Sequence, residues 1–423
     1  MKKQCIQFIF LLLTFSIMFK INYFIILVLP FFISSAIGEL TFNNLQDRLI
    51  LKLLEVAPKN NIVASALLSR FPLCKLAAVA TGDAKQELMT ALGYKDEDGL
   101  NNCFTGLKRN LKEMLTSDLL IVNRIFINYT DDIDPTFMTN NGEKYGVKVE
   151  KVGFNYPRSA ISFINNRVAS GTYRRITDIV DAKDINENTM MAIVTGAHFK
   201  GTFEFPFDIR LTKQLQFQHY DGRTSRVPMM TRTDSFSYMA ANDLKMLSIK
   251  FGSWKLSLTI VLPNDRRGLP TLFQKMNEQP SYINSLFKEM RASPMRVFLP
   301  RLKIKSFLDW TGFYQELGLY SIFSNETSDL KGILKKDSKI KNVHLNTVKQ
   351  KLFIQIDEMG AGRFTRDPQM RHGIPDIPPY GSVPEFNANK PFYFQISWEQ
   401  DMNTQLVLFA GMYTGPEPEP HQT

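Results

Sequence analysis

The chain has 423 residues, of which 44% are hydrophobic and 22% charged, and its formal net charge is +10. These values exclude a disordered or fibrous chain and allow one large domain or two ordinary ones. Its 33 phenylalanines predict a large aromatic-rich core. No segment repeats at a period of about 20–50 residues, which argues against a solenoid or a propeller.

The first 38 residues differ from the rest, because they contain three lysines and no acidic residue, with apolar runs on both sides of Lys20. Each run is close to or below the ~20 residues that span a bilayer. Small residues at 36 and 38 fit signal-peptidase cleavage before Glu39. We predict a signal peptide over 1–38, with Met18 as an alternative start, and a single secreted, extracellular domain over 39–423. A membrane anchor is the alternative.

The first half of the remaining chain is rich in helical patterns, in which apolar residues recur every three or four positions. An almost continuous apolar run at 62–80 indicates a buried helix entered through a short strand. The other predicted helices cover 45–54, 98–115, 137–145 and 159–170, and strands are predicted at 119–128 and 190–199.

Strand patterns dominate the second half, where Asp221-Gly222 is the strongest hairpin signal. Helices that concentrate early and strands that concentrate late predict an α+β fold with large antiparallel sheets. The predicted strands are 215–220, 226–230, 236–240, 245–251, 256–262, 295–300, 303–307, 352–356, 392–398 and 406–413.

The segment Gly360–Glu385 fits neither class, because it carries five prolines and four glycines and has no apolar period. It lies between two predicted strands. A long exposed loop of this kind in a large domain is usually functional.

Cysteines and glycosylation triplets agree with secretion. After cleavage only Cys74 and Cys103 remain, and the apolar surroundings of Cys74 favour a buried thiol, although a disulfide between them stays open. The triplets Asn128-Tyr129-Thr130 and Asn325-Glu326-Thr327 predict N-glycosylation at Asn128 and Asn325.

Catalytic and metal-binding patterns are missing from the sequence. The five histidines make no metal-ligand spacing, and there is no C-x-x-C, G-x-S-x-G or Walker A motif. We therefore predict a protein that is not an enzyme and that holds no metal or cofactor.

Two basic clusters could bind an anionic polysaccharide, and the alternative for each is an ordinary solvated face. One is formed by Lys108, Arg109 and Lys112 on the predicted helix 98–115. The other, Lys335, Lys336, Lys339 and Lys341, lies in a loop. Neither cluster alternates with aromatic residues, so nucleic-acid binding is not predicted.

Several motifs, in the same order along nearly the whole chain, resemble the serpin family of serine protease inhibitors. They are Asn61-Ile62-Val63-Ala64-Ser65 through Gly82, Asn123-Arg124-Ile125-Phe126, Phe199-Lys200-Gly201 with Pro206-Phe207-Asp208, Phe217 to Met230, Leu299-Pro300-Arg301, Leu317-Gly318-Leu319, Phe386 to Phe392 and Phe409-Ala410-Gly411. The resemblance implies a monomer with three β-sheets, about nine helices and an exposed reactive loop at 360–385.

In inhibitory serpins a protease cleaves this loop, which then inserts as a new strand in the central sheet and traps the protease. The resemblance places the scissile bond near Arg371, His372, Gly373 and Ile374. Arg371 would suit a trypsin-like protease and Ile374 an elastase-like one.

The hinge that must insert departs from the family's small residues. Glu358, Gly360 and Ala361 fit the family, whereas Gly362 weakens a strand and Pro368 lacks a ladder N–H. The resemblance places the side chains of Ala361, Arg363, Thr365 and Asp367 inward. Burying Arg363 or Asp367 without a partner costs on the order of several kcal/mol.

The sheet-opening region also departs from the family, whose Ser, Asn and His form a polar network there and whose Trp lies above it. The matching positions are Leu68, Thr195, Gln350 and Phe203. A basic–acidic pair of the family is kept as Arg301 and Glu358. We predict lost or impaired inhibition and a binding role, and the alternative is a working suicide-substrate inhibitor of a trypsin-like or elastase-like serine protease.

Overall fold

A computed structural model describes residues 60–94, 96–100, 119–130, 132–139, 146–252, 255–279, 282–359, 383–401 and 404–416. Its α-helices in these ranges are α1 Ala66–Ala77, α2 Gly82–Leu92, α3 Pro135–Thr139, α4 Pro157–Gly171, α5 Leu269–Glu278, α6 Tyr282–Glu289 and α7 Thr311–Glu316. None of the described helices is long and apolar enough to cross a membrane.

The strands fall into two hydrogen-bonded sheets. They are β1 Ile62–Ala64, β2 Leu119–Asn128, β3 Lys148–Val152, β4 Met191–Lys200, β5 Lys213–Gln218, β6 Thr224–Ala240, β7 Leu244–Lys250, β8 Leu256–Pro263, β9 Arg291–Pro300, β10 Leu302–Asp309, β11 Thr347–Ile356, β12 Glu385–Asn387, β13 Phe392–Asp401 and β14 Thr404–Tyr413. With the helices they confirm the predicted α+β class.

The smaller sheet has five strands in the order β10-β11-β4-β2-β3. Its central pair, β11 and β4, is parallel and in register over nine residues, from Thr347 opposite Ala192 to Gln355 opposite Lys200. The neighbouring pairs β10–β11 and β2–β4 are antiparallel. Both central strands therefore end at the same edge of the sheet.

The larger sheet has nine strands, because the 17-residue β6 pairs with β5 and β9 along its length and with β7 at its C-terminal end. Through these pairings, strands that could form two separate sheets are hydrogen-bonded into one. The described strands therefore form two hydrogen-bonded sheets, whereas three sheets were expected. The predicted separate strand at 236–240 is the C-terminal part of β6. The Asp221-Gly222 hairpin is confirmed, and Gly222 has a φ of 91°, which favours glycine.

Helix α1 crosses the core between the two sheets, as its apolar sequence predicts. It starts at Ser65, whose hydroxyl accepts a hydrogen bond from the Leu68 backbone N–H, and it contacts β2, β4 and β14. Cys74 is fully buried on this helix, and no disulfide involves it within the described part of the chain.

Helix α4 covers the outer face of the five-stranded sheet. A separate apolar cluster joins Ile164 and Val168 of the helix to Val122 of β2 and Val194 of β4. The segment that follows the helix adds further buried side chains to the same cluster: Ile176, Ile179, Val180 and Ile185. We call residues 157–190 the strap, because they cross the sheet on this face.

Candidate functional site at the junction of β4 and β11

The candidate site is the parallel junction between β4 and β11, since the predicted reactive loop follows β11 directly. Glu358 lies two residues beyond the end of β11, at the edge where β4 also ends. A chain that leaves this edge could re-enter the sheet only if the β4–β11 pair separated. The contacts of both faces of the pair therefore decide whether this is possible.

On the core side, Gln350 of β11 is fully buried and hydrogen-bonds the backbone of Ser65 twice. Its Nε2 donates to the Ser65 carbonyl at 2.9 Å, and its Oε1 accepts from the Ser65 N–H at 2.9 Å. The Ser65 hydroxyl donates to the Leu408 carbonyl at 2.6 Å. One amide thus satisfies both backbone groups at the start of α1.

Thr195 of β4 belongs to a second hydrogen-bonded group. Its hydroxyl donates to Asn123 Oδ1 at 3.0 Å, and Asn123 Nδ2 donates to the Leu68 carbonyl at 2.8 Å. Thr195 and Gln350 are opposite each other in the register, yet no hydrogen bond joins these two described side chains. The loss of the family's polar network stays a prediction, and Thr195 and Gln350 instead hydrogen-bond Asn123 and Ser65.

Sequence reasoning missed Ser65 and Asn123, which complete the two groups. A serine just before an apolar helix is a usual N-cap, and that signal could have identified Ser65. A side-chain amide within the apolar strand 119–128 needs a buried hydrogen-bond partner, and that signal could have identified Asn123. Leu68 takes part only through its backbone, and its side chain packs in the core.

We expect Gln350→Leu to lower the free energy of unfolding by about 2 kcal/mol, because the buried Ser65 N–H would lose its partner and the Ser65 carbonyl would keep only the Ser69 N–H at 3.4 Å. Urea unfolding followed by tryptophan fluorescence measures this loss. Gln355→Leu is the matched control on the same strand: its side chain is half-buried and bonds Asp357, and we expect a change below about 0.5 kcal/mol. Equal effects of the two variants would contradict the assignment.

At the edge of the sheet, Glu358 forms an ion pair with Arg301, confirming that the two residues meet. Arg301 Nη2 lies 2.7 Å from Glu358 Oε1, its Nε also donates to the carboxylate, and the Thr212 hydroxyl donates at 2.6 Å. Burial alone would raise the pKa of Glu358, but the hydrogen bonds from Arg301 and Thr212 outweigh it and lower this pKa. This ion pair fixes the residue from which the loop departs.

Phe203 is fully buried beside the end of β4. Its ring stacks on Phe251 at 5.1 Å between centroids and meets Phe207 edge-on at 5.3 Å. A Cβ at Gly201 would overlap the Phe251 ring, so this aromatic cluster requires the glycine of the Phe-Lys-Gly motif.

On the outer face, the strap is attached to both sides of the β4–β11 junction. On the far side, Glu150 of β3 pairs with Arg124 of β2 at 2.5 Å and with Arg167 of α4 at 2.7 Å. Across the junction, the strap reaches two lysines of β11.

Lys349 of β11 is buried and pairs with Asp184 of the strap at 2.5 Å and with Asp309 of β10 at 2.7 Å. Lys351 pairs with Asp178 of the strap at 2.9 Å. Burial alone would lower the pKa of Lys349, but hydrogen bonds to the two aspartates outweigh it and raise this pKa, so the side chain is charged.

His198 lies on the same outer face, 6% exposed, with its ring 4.9 Å from that of Phe353. Burial and the charges of Arg175 and Lys200 lower the pKa of His198 to about 4. It is therefore neutral at physiological pH. No group of metal-binding side chains occurs within the ranges that the structure describes.

Several predicted residues lie outside the described residues: the leader 1–38, the hinge from Gly360 to Pro368, the scissile candidates 371–374, Cys103, and the basic cluster Lys108, Arg109 and Lys112. One loop boundary is corrected. Glu385, assigned to the end of the loop, is the first residue of β12 and pairs with Arg296 of β9.

Comparison with known proteins agrees with this architecture. The family model described as Serpin (serine protease inhibitor) matches residues 41–416. Antitrypsin of Bombyx mori is 26% identical over 380 residues, covering 88% of this chain and 92% of that protein. Antithrombin-III of Mus musculus is 26% identical, covering 82% of this chain and 74% of that protein.

Solved structures give the same fold. Native protease nexin-1 with heparin superimposes with a TM-score of 0.75 at 23% identity, covering 90% of this chain and 100% of that one. Serpin48 of the insect Tenebrio molitor superimposes with a TM-score of 0.76 at 23% identity, covering 90% of this chain and 99% of that one. The chain belongs to the serpin family, whose members are generally protease inhibitors rather than catalysts.

Proposed function

We propose that this serpin is secreted, that insertion of its reactive loop is impaired, and that it acts mainly by binding. The observation that carries the proposal is the lining of the β4–β11 junction on its core side. There the described side chains are all uncharged: Ile193, Thr195, Ala197, Phe199, Val348, Gln350, Leu352 and Ile354.

An inserted hinge would bring Arg363 and Asp367 toward this lining if it follows the family's alternation. No acidic or basic side chain of the lining could pair with them, and the amide of Gln350 is already bonded to Ser65. An unpaired buried charge costs on the order of several kcal/mol. Pro368 would also leave a gap in the ladder of a central strand.

A working inhibitor is the second candidate, and three observations favour it. The Arg301–Glu358 ion pair holds the base of the loop, and no side-chain hydrogen bond between the described Thr195 and Gln350 joins β4 to β11 on the core side. Relatives include proteins called antitrypsin and antichymotrypsin-2. Under this candidate Arg371 would direct the loop to a trypsin-like protease, and Ile374 to an elastase-like one.

Limited trypsin cleavage separates the two candidates. We expect the cleaved chain to melt within a few degrees of the intact chain, because the cut loop stays outside the sheet. The comparison is the triple variant Arg363→Ala/Asp367→Ala/Pro368→Ala. Its cleaved form should melt at least about 10 °C above its intact form, since a new central strand adds several kcal/mol to the free energy of unfolding. A large rise for the unchanged chain, or an SDS-stable complex with trypsin or elastase, would refute impaired insertion.

The proposed partners are a serine protease that recognises the loop and an anionic polysaccharide that contacts Lys108, Arg109 and Lys112. The net charge of +10 and the heparin bound by protease nexin-1 support the second partner. Alanine at these three positions should weaken retention on heparin without changing the melting temperature.

The proposed secretion predicts one main N-glycan. Asn325 is exposed in a turn, whereas the Asn128 side chain is half-buried and accepts a hydrogen bond from the Phe154 N–H. We would express the variants in insect cells and treat the secreted protein with glycosidase. We expect Asn325→Gln to abolish the gel-mobility shift that this treatment produces, and Asn128→Gln to leave the shift unchanged. A chain retained inside the cell without glycan would contradict secretion.

A further inference from the structure

The lysine loop, residues 331–341, is a basic surface that the proposed function does not use. It contains Lys331, Lys335, Lys336, Lys339 and Lys341. Five lysines against the single acidic residue Asp337 give these eleven residues a formal charge of +4, two fifths of the net charge of the chain.

The loop is held in place within its first half and just beyond its C-terminal end. Leu334 forms an antiparallel bridge with Ile133, and the Lys335 N–H donates to the Asp132 carbonyl at 2.8 Å. Beyond the loop, Asn342 Nδ2 donates to the Asn325 carbonyl at 2.7 Å, and Val343 is buried. The backbone that carries the lysines is therefore anchored before any ligand arrives.

Apolar and basic residues of the loop point in opposite directions. Ile333 and Leu334 are buried and Ile340 packs against the core, whereas all five lysines are exposed. None of the five forms an ion pair with any residue that the structure describes. Their ammonium groups repel one another, and Asp337 is the one acidic residue within the loop. Outside it, hydrogen bonds from Thr136 lower the pKa of Asp134, and the charge of Lys335 adds a smaller effect.

We propose that the lysine loop is a binding site for a sulfated polysaccharide. A polyanion gains affinity by releasing its counterions to several lysines at once. The loop offers no aromatic ring on which a base could stack and no exposed apolar anchor for a membrane, so charge and hydrogen bonding carry the recognition. This site goes beyond the proposed function, because it is separate from Lys108, Arg109 and Lys112 and does not require loop insertion.

The test uses the full secreted chain and heparin as the probe. The loop variant replaces Lys335, Lys336, Lys339 and Lys341 with alanine. The control variant makes the same charge change at four other exposed lysines, Lys183, Lys213, Lys250 and Lys288. Both variants should have the same melting temperature as the unchanged chain, since the substituted lysines lie on the surface.

We expect the loop variant to bind heparin at least about tenfold more weakly at low salt and the control variant to lose much less affinity. The dependence of log Kd on log salt should fall by about one for each contact removed. Equal losses in the loop and control variants would overturn the proposal. The proposal would also be overturned if the same lysines bound single-stranded DNA, or vesicles of phosphatidylcholine and phosphatidylserine in equal parts, more tightly than they bind heparin.

The helix variant, with alanine at Lys108, Arg109 and Lys112, separates the two polysaccharide sites. If only the helix variant loses heparin, the lysine loop is refuted and the proposed partner site stands. If only the loop variant loses heparin binding, the site at Lys108, Arg109 and Lys112 is refuted and the lysine loop stands. Independent losses from both variants would support two sites.

Discussion

Lys349→Met is expected to lower the free energy of unfolding by about 3 kcal/mol, because the Asp184 carboxylate would lose its counter-charge and keep only the hydrogen bond from the Asp181 N–H. The two side chains are 7% and 9% exposed and lie 2.5 Å apart. Adding Asp184→Asn should recover most of the loss, since the second substitution removes the uncompensated charge. Urea unfolding of the two single variants and the double variant measures the coupling.

Lys351→Met is the matched control, since it removes a lysine two residues along the same strand. Its partner Asp178 is 77% exposed, so we expect a loss below about 1 kcal/mol. If Lys349→Met were no more damaging than Lys351→Met, the buried pair would not hold the strap to the sheet.

The local consequence of Lys349→Met concerns strand separation. The strap is attached to β2, β3 and β4 on one side and to β11 on the other, so parting β4 from β11 must break its contacts with β11. Hydrogen exchange should therefore speed up at the amides of β11 and remain unchanged at those of β8 in the larger sheet. Uniform acceleration in both sheets would indicate global destabilisation only.

Arg301→Met is expected to cost about 2 kcal/mol at neutral pH, because Glu358, whose side chain is 3% exposed, would lose its counter-charge. The value is set below that of a fully buried pair because the arginine side chain is 40% exposed. Arg210→Met is the control, since its ion pair with Asp208 is exposed to solvent, and we expect a much smaller change.

The pH dependence of the Arg301–Glu358 pair has a definite sign. Because the pKa of Glu358 is lowered in the folded chain, the pair stabilises fully above the ordinary pKa range of glutamate. This contribution is lost as the pH falls through the lowered pKa. The stability difference between the unchanged chain and Arg301→Met should therefore shrink with acid, and a difference that grows would contradict the assignment.

Local sequence patterns predicted many elements well. The strand at 119–128 and the hairpin at Asp221-Gly222 are confirmed, because a continuous apolar run and a turn dipeptide act over a few residues. The first half of β11 was missed, since Lys349 and Lys351 interrupt its apolar pattern. β3 was missed because this edge strand is mostly polar.

The sequence by itself determined the family, the α+β class and the unusual hinge composition, because these depend on motifs and residue types read in order. Only the tertiary structure decided how the β4–β11 junction is held. Ser65 and Gln350 are 285 residues apart, and Asn123 and Thr195 are 72 apart. Lys349 meets Asp184 only because the strap crosses the sheet. No local pattern encodes such pairings, since they depend on which distant segments the fold brings into contact.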